Sequence, residues 1–273
     1  MTYISAADGT QIYTKIWGEG RPVILMHGWP LSADSWDDQA MAIADQGFKV
    51  IAYDRRGFGR SDQPWTGYEY DTLSDDLADV MKATKSRDAT ISGFSMGGGE
   101  VARYMSRHDG KGVSQTILIS SIVPFMLKTS NNPNGVDQET FGEMADSMKK
   151  DRTAFFESFF KDFYGVGLVT SPVSQGIVDW SIRTAMQAGL KSTLDCATAF
   201  ATTDFRKELS AFTVPTLIIH GTADKTVPID TSARPAHKAI KNSKLIEVDG
   251  AAHGLLATHK NEMTKMMLNF LKK

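Results

Sequence analysis

The chain has 273 residues, of which 41% are hydrophobic and 23% are charged, and its formal net charge is -2. These values fit one large globular domain with room for an insertion. The charge gives no general electrostatic reason to bind nucleic acid or an anionic membrane, and no apolar run approaches the ~18 residues of a membrane span.

Two features of the sequence concern the cellular compartment. The N-terminal residues 1–5 lack the basic and long apolar regions of a secretory signal, and a single cysteine, Cys196, excludes an intrachain disulfide. We therefore expect a cytoplasmic protein in which Cys196, among apolar neighbours, is a small buried side chain.

Strand-like and helix-like segments alternate along the first 120 residues. Short β-branched or apolar runs predict strands over 11–17, 23–26, 48–53, 89–92 and 115–120. Apolar residues at helical spacing predict helices over 34–45, 70–84 and 100–107. This alternation predicts an α/β fold with a mostly parallel sheet and helices on both of its faces.

The alternation breaks near Pro124. The segment from Phe125 to about Phe212 is rich in Phe and Met and contains no clear strand pattern. We interpret residues 124–212 as a helical cap inserted into a core formed by residues 1–123 and 213–273. Strand patterns return over 216–220 and 244–248, and a final helix is predicted over 260–271.

The most informative motif is Gly93-Phe94-Ser95-Met96-Gly97, which matches G-x-S-x-G. It follows a predicted strand and precedes a predicted helix, which is the context of a nucleophile elbow. The turn presents the Ser95 hydroxyl at a helix N-terminus, where free N–H groups face a developing negative charge. The motif by itself also occurs in ordinary glycine-bearing turns.

Asp224 and His253 complete a catalytic constellation. Each residue follows the carboxyl end of a predicted strand, which is where an open α/β sheet places its site. The chain order Ser, Asp, His is the order expected for this type of hydrolase. We predict that Ser95 is the nucleophile, that His253 is its base, and that Asp224 orients the imidazole.

An oxyanion hole needs two N–H donors. The residue after the nucleophile, Met96, supplies one, and the loop His27-Gly28-Trp29-Pro30 supplies the other. Pro30 has no N–H, so Trp29 is the candidate, and His27 is expected to order the loop. The arginine-rich loop 54–62 lacks a complete phosphate-binding motif, and its Arg and Asp side chains are expected to bind one another and the backbone.

With these motifs in view, the chain resembles the α/β-hydrolase superfamily. More narrowly, it looks like the bacterial aryl esterases and the cofactor-free (non-haem) haloperoxidases, also called perhydrolases. The matching segments are 27–29, 53–64, 93–99, 101–104 and 215–221 with Asp224, and, in the cap, 162–165, 195–200 and 203–206.

The resemblance implies a function and a set of roles. Ser95, Asp224 and His253 take the triad positions, and Trp29 and Met96 take the oxyanion positions. Members of this family use no metal and no cofactor, hydrolyse small or aryl esters through an acyl-enzyme, and often form homo-oligomers. Many also accept hydrogen peroxide instead of water and so turn a carboxylic acid into a peracid.

The substrate-binding residues are expected to be mainly aromatic. Family position and apolar clustering suggest Trp29, Pro30, Phe125, Phe159, Phe163 and Phe200. Because proline restricts the residue before it to extended conformations, Pro30 constrains the Trp29 carbonyl. Our hypothesis is that this carbonyl accepts a hydrogen bond from bound peroxide or peracid. The alternative is that Pro30 only shapes the turn.

Other functions of the same fold stay open. A lactonase or an amidase uses the same acyl chemistry. Dehalogenases and epoxide hydrolases need a carboxylate at the elbow, and Ser95 argues against them. A non-catalytic ligand-binding receptor is a further alternative, since fold alone does not establish function.

Overall fold

The computed structural model describes residues 2–273. Within them, eight strands form one sheet: β1 (Thr2–Ser5), β2 (Gln11–Trp17), β3 (Arg21–Met26), β4 (Phe48–Tyr53), β5 (Ala89–Phe94), β6 (Val113–Ile119), β7 (Thr216–Gly221) and β8 (Ser243–Val248). The strand order is β1-β2-β4-β3-β5-β6-β7-β8. β1 and β2 pair antiparallel with their neighbours, and the remaining strand pairs are parallel. The prediction of a mostly parallel sheet is confirmed.

The predicted strands are present, with small differences at their ends. β2 and β4 have the predicted bounds, whereas β3 begins two residues before the predicted position. β1 is the strand that sequence analysis missed. It has four residues, of which only Ile4 is buried, so it is too short to display an alternating pattern.

Parallel strands that are covered on both faces consist of nearly continuous buried residues. Every residue of β5 and β7 is buried, as is all of β3 except Arg21. The helices of the core are α1 (Asp37–Ala44), α2 (Tyr70–Ala83), α3 (Gly97–Arg107), α7 (Ala233–Ala239), α8 (Leu255–Thr258) and α9 (Lys260–Leu271). α2 packs against α3 and α1 packs against α9, so two helix pairs flank the sheet.

Three helices lie between β6 and β7, in the segment that we interpreted as a cap: α4 (Gln138–Tyr164), α5 (Gln175–Gln187) and α6 (Leu190–Thr202). α4 is interrupted at Asp151, whose φ of -156° and ψ of 94° are not helical. The Asp151 carboxylate accepts the Ala154 N–H at 2.9 Å and so caps the second half of the helix. That half carries Phe156, Phe160 and Phe163 on its buried side.

Cys196 is fully buried in α6, as predicted, and burial raises the pKa of its thiol to about 12. No helix within residues 2–273 combines the length and the apolarity that crossing a bilayer requires.

The loop 54–62 is held by one ion pair within it and by another to α2, which confirms its expected structural role. Asp54 accepts the Ala33 N–H at 2.8 Å and pairs with Arg60 through Nε at 2.7 Å. Arg56 binds Asp76 through two hydrogen bonds of 2.6 Å. These pairs fix the loop beside the carboxyl end of β4.

Candidate active site

Ser95 lies at a tight turn between β5 and α3. Its φ of +53° is in the left-handed region, which few non-glycine residues adopt and which recurs at strained functional turns. The Ser95 N–H donates to Ile119 O at 2.8 Å and ties the turn to β6. Gly93 permits the turn, since a Cβ there would lie 2.3 Å from the backbone of Gly97. The turn has the geometry that G-x-S-x-G predicts.

Ser95, His253 and Asp224 form a continuous hydrogen-bond chain. Nε2 of His253 lies 2.9 Å from Ser95 Oγ, and Nδ1 of His253 lies 2.6 Å from Oδ2 of Asp224. An ionised carboxylate only accepts, so Nδ1 carries the ring proton and Nε2 is free to accept the proton of the Ser95 hydroxyl. All three residues are buried. The structure thus brings together three residues from three different strand ends.

Asp224 is held by two further donors. Its Oδ1 accepts the Val227 N–H at 2.8 Å, and its Oδ2 lies 3.2 Å from Nε2 of His220. Nε2 of His220 also lies 2.8 Å from Val227 O, and because both neighbours are acceptors, this nitrogen must carry the ring proton. Burial by itself raises the pKa of Asp224, but the positive charge that His253 carries when it is protonated and the hydrogen bonds from His220 and His253 outweigh it and hold that pKa well below its ordinary value.

Sequence analysis assigned no role to His220, so its contact with Asp224 is one that only the structure revealed. The available signal was the spacing of four residues between His220 and Asp224, across the end of β7.

Aromatic rings and backbone bonds orient His253. Its imidazole lies against the rings of Phe94 and Phe163, with centroid distances of 5.3 and 4.9 Å. Gly254 N–H donates to Phe163 O at 2.8 Å, and the Ser120 hydroxyl donates to His253 O at 3.2 Å. The loop that carries His253 is therefore attached to both α4 and the end of β6.

Two backbone N–H groups without a partner belong to residues close to the nucleophile. Within residues 2–273, the N–H groups of Trp29 and Met96 have no hydrogen-bond partner. A Cβ at Gly28 would lie 2.7 Å from the Phe94 ring and 3.2 Å from Ser95 Cβ, so the loop before Trp29 packs closely on the nucleophile. Unpartnered donors at such a position are what an oxyanion hole requires.

A buried polar network lies beneath this loop. The backbone N–H of Arg55 donates to Nε2 of His27 at 3.0 Å, and the Arg55 guanidinium donates to the carbonyl oxygen of His27 at 2.7 Å. Arg55 Nε donates to Glu100 at 2.7 Å, and the Tyr53 hydroxyl donates to the other carboxylate oxygen of Glu100 at 2.7 Å. The network joins the ends of β3 and β4 to α3. The expectation that His27 orders the loop is confirmed, whereas the roles of Arg55 and Glu100 were missed.

A cavity of about 450 Å³ opens in front of Ser95 and His253. Its aromatic wall consists of Trp29, Phe141, Phe155, Phe159 and Phe200. The other apolar side chains that line it are Ile122, Met126, Val136, Met144 and Val227. The polar lining, apart from Ser95 and His253, is Thr140, Asp162, Lys225 and Thr226. A largely apolar cavity of this size suits a small acyl or aryl group.

Three of the expected substrate-binding residues line this cavity, namely Trp29, Phe159 and Phe200. The other three, which do not line it, are Pro30, Phe125 and Phe163.

Side-chain packing explains why these three residues do not line the cavity. The ring of Phe125 packs against the Arg206 guanidinium, whose central carbon lies 5.0 Å from the ring centroid. Phe163 is buried against the imidazole of His253, so it supports the base instead of meeting substrate. Pro30 is also buried, next to Trp29.

Comparison with known proteins gives consistent matches over the whole chain. A family model described as alpha/beta hydrolase fold matches residues 21–260. The non-heme chloroperoxidase of Kitasatospora aureofaciens and the bifunctional esterase/perhydrolase of Acinetobacter calcoaceticus are each 38% identical to this chain, over 100% of both sequences. The crystal structure of a bromoperoxidase from Bacillus anthracis has a TM-score of 0.96 and 42% identity, and the match covers 100% of both chains.

Proposed function

This chain belongs to the α/β-hydrolase family, and from that premise we propose that it is a serine-dependent hydrolase of small or aryl carboxylic esters that also forms peracids from carboxylic acids and hydrogen peroxide. The observation that carries the proposal is the hydrogen-bond chain from Ser95 through His253 to Asp224, with distances of 2.9 and 2.6 Å. The names of the relatives with 38% identity, a chloroperoxidase and an esterase/perhydrolase, support both activities.

The proposed acylation step follows from this geometry. His253 Nε2 accepts the proton of the Ser95 hydroxyl while Oγ attacks the ester carbonyl carbon. The N–H groups of Trp29 and Met96 stabilise the oxyanion, and Asp224 stabilises the imidazolium. His253 then returns the proton to the leaving alcohol, and the acyl group remains on Ser95.

The acyl acceptor distinguishes the two activities. Water, deprotonated by His253, attacks the acyl-enzyme and releases the carboxylic acid. Hydrogen peroxide attacks in the same way and releases the peracid. When the acid is the acyl donor, Ser95 displaces water from it, so the net reaction converts acid and peroxide to peracid and water.

Residues 124–212 serve in this proposal as a cap that supplies much of the cavity wall, including Phe141, Phe155, Phe159 and Phe200. Pro30 acts indirectly, through the Trp29 carbonyl. Homo-oligomer formation and a cytoplasmic location remain predictions; light scattering and cell fractionation would test them.

The test compares two assays with one control variant. The purified protein is assayed with p-nitrophenyl acetate for hydrolysis and with acetic acid plus hydrogen peroxide for peracid formation, next to Ser95→Ala. We expect both activities in the wild type and neither in the variant. Ester turnover without peracid formation would mean that the protein is an esterase without perhydrolase activity. Turnover by Ser95→Ala equal to that of the wild type would contradict the proposed mechanism.

A further inference from the structure

Two thioether side chains line the cavity that contains Ser95 and His253. Met126 follows β6 and is 2% exposed, and Met144 lies half-buried in the first half of α4. The mechanism above uses neither of them. Thioether sulfur is the side-chain group most readily oxidised by oxygen transfer after the thiolate, and the chain's one thiol, Cys196, is buried and does not line the cavity.

We propose that Met126 and Met144 are oxidised to methionine sulfoxide by peracid formed at Ser95, so that perhydrolysis modifies its own cavity. This inference rests on the proposed function, because the oxidant is the product of that reaction. The terminal peroxy oxygen of the peracid forms a bond to the sulfur while the O–O bond breaks. The peroxy proton passes to the departing carboxylate oxygen. The sulfur is oxidised, the peroxy oxygen is reduced, and a carboxylic acid and a sulfoxide result.

Confinement favours these two residues over the rest of the 13 methionines in the chain. One peracid molecule in a cavity of about 450 Å³ corresponds to a local concentration of roughly 4 M. Once released, the same molecule is diluted into bulk solvent. Each turnover therefore exposes Met126 and Met144 to far more oxidant than a surface methionine receives.

The chain contains matched reference residues for this comparison. Met148 lies one helical turn beyond Met144 in α4, but it is 1% exposed and does not line the cavity. Met41 is 58% exposed and reports on oxidant in bulk solvent. If Met126 and Met144 contain more sulfoxide than both Met41 and Met148, solvent exposure does not explain the difference.

Oxidation changes the chemistry of the cavity. A sulfoxide places a strongly polar S=O group on a wall that is otherwise largely aromatic and aliphatic. Binding of an apolar acyl group weakens, and activity falls with the number of peracid molecules made. Ester hydrolysis without peroxide does not have this effect.

The first experiment maps sulfoxide after turnover. The protein is incubated with acetic acid, hydrogen peroxide and excess free methionine, which removes peracid from bulk solvent, and the digested chain is analysed by mass spectrometry. We expect Met126 and Met144 to contain at least fivefold more sulfoxide than Met41 or Met148. This excess should vanish without acetic acid and in Ser95→Ala.

The free methionine separates two kinds of failure. Its conversion to sulfoxide in a Ser95-dependent manner measures the peracid that is made. If peracid is made and the cavity methionines are oxidised no more than Met41, the inference is wrong and the proposed function stands. If no Ser95-dependent peracid is made, both the inference and the proposed peracid-forming activity are wrong.

The second experiment uses variants. The rate of peracid formation is followed over time in the wild type, in Met126→Leu/Met144→Leu and in Met148→Leu, each relative to its own starting rate. Leucine is used because it nearly conserves the volume of methionine. We expect the half-life of activity to lengthen at least twofold in the double variant and to remain unchanged in Met148→Leu. Equal half-lives in all three proteins would overturn the proposed effect on activity.

Discussion

The backbone N–H of Arg55 donates a hydrogen bond to Nε2 of His27 at 3.0 Å, so the imidazole of His27 is neutral with its proton on Nδ1. That proton points to the Gly28 carbonyl oxygen, 3.0 Å away. If His27 were protonated, its Nε2–H and the Arg55 N–H would be two donors directed at each other, and the imidazolium would lie next to the positively charged Arg55 guanidinium. Burial, and then the charge of Arg55, hold the pKa of His27 well below its ordinary value.

This buried neutral histidine gives a prediction about stability and pH. In the unfolded chain His27 takes up a proton below about pH 6.5, whereas in the folded chain it stays neutral. The unfolded state then binds more protons, so the free energy of unfolding falls as the pH drops below that value, by up to ~1.4 kcal/mol per pH unit. Above about pH 6.5 this contribution is constant.

The control is His27→Gln, whose amide oxygen can accept the Arg55 N–H but does not titrate. Urea unfolding at pH 7, 6 and 5 should show a smaller loss of stability in the variant than in the wild type over this range. Parallel losses in the two proteins would contradict the assignment of a neutral His27.

His220 is predicted to be a positioning residue that acts through Asp224. His220→Leu removes a donor to a buried carboxylate, a bond worth roughly 1.5–3 kcal/mol. We expect kcat for p-nitrophenyl acetate to fall by about tenfold to a hundredfold while KM changes little. His220→Gln, whose amide N–H can take the place of Nε2–H, should recover most of the loss. If both variants lose activity equally, or if KM alone changes, His220 does not act through the triad.

Glu100 is predicted to be essential for the stability of the network under the oxyanion loop. Glu100→Gln removes the charge that balances Arg55, and both side chains are almost fully buried. Leaving one member of a buried pair uncompensated costs about 3–5 kcal/mol. Tyr53→Phe removes one hydrogen bond to the same carboxylate and should cost less, roughly 1.5–3 kcal/mol. Urea unfolding of the two variants measures the difference, and equal losses would show that the ion pair adds nothing.

Pro30 is predicted to affect the choice of acyl acceptor. Within residues 2–273 the Trp29 carbonyl has no hydrogen-bond partner, which leaves it free to accept a hydrogen bond from peroxide. Pro30→Leu releases the constraint on this carbonyl. The ratio of perhydrolysis to hydrolysis of the same acyl group should therefore fall severalfold. An unchanged ratio would mean that Pro30 only shapes the turn.

The sequence by itself determined the parts of this protein that depend on local patterns. The β-branched run before Gly93 and the helical run after Ser95 encode a strand, a turn and a helix in adjacent residues. Asp224 and His253 were recognisable for the same reason, since each directly follows a strand. Parallel strands share one carboxyl edge, so three local patterns were enough to predict a common location for three distant residues.

Only the tertiary structure decided which side chains meet around that location. Phe159 and Phe163 lie one helical turn apart in α4, yet one lines the cavity and the other supports His253. Likewise, Met144 lines the cavity and Met148 does not, although both are apolar residues of the same helix. Helical periodicity tells which residues share a face, but the direction of that face depends on how α4 is positioned against the sheet. The same reason hid the Arg55–Glu100 pair, whose partners are brought together by the packing of α3 against β3 and β5.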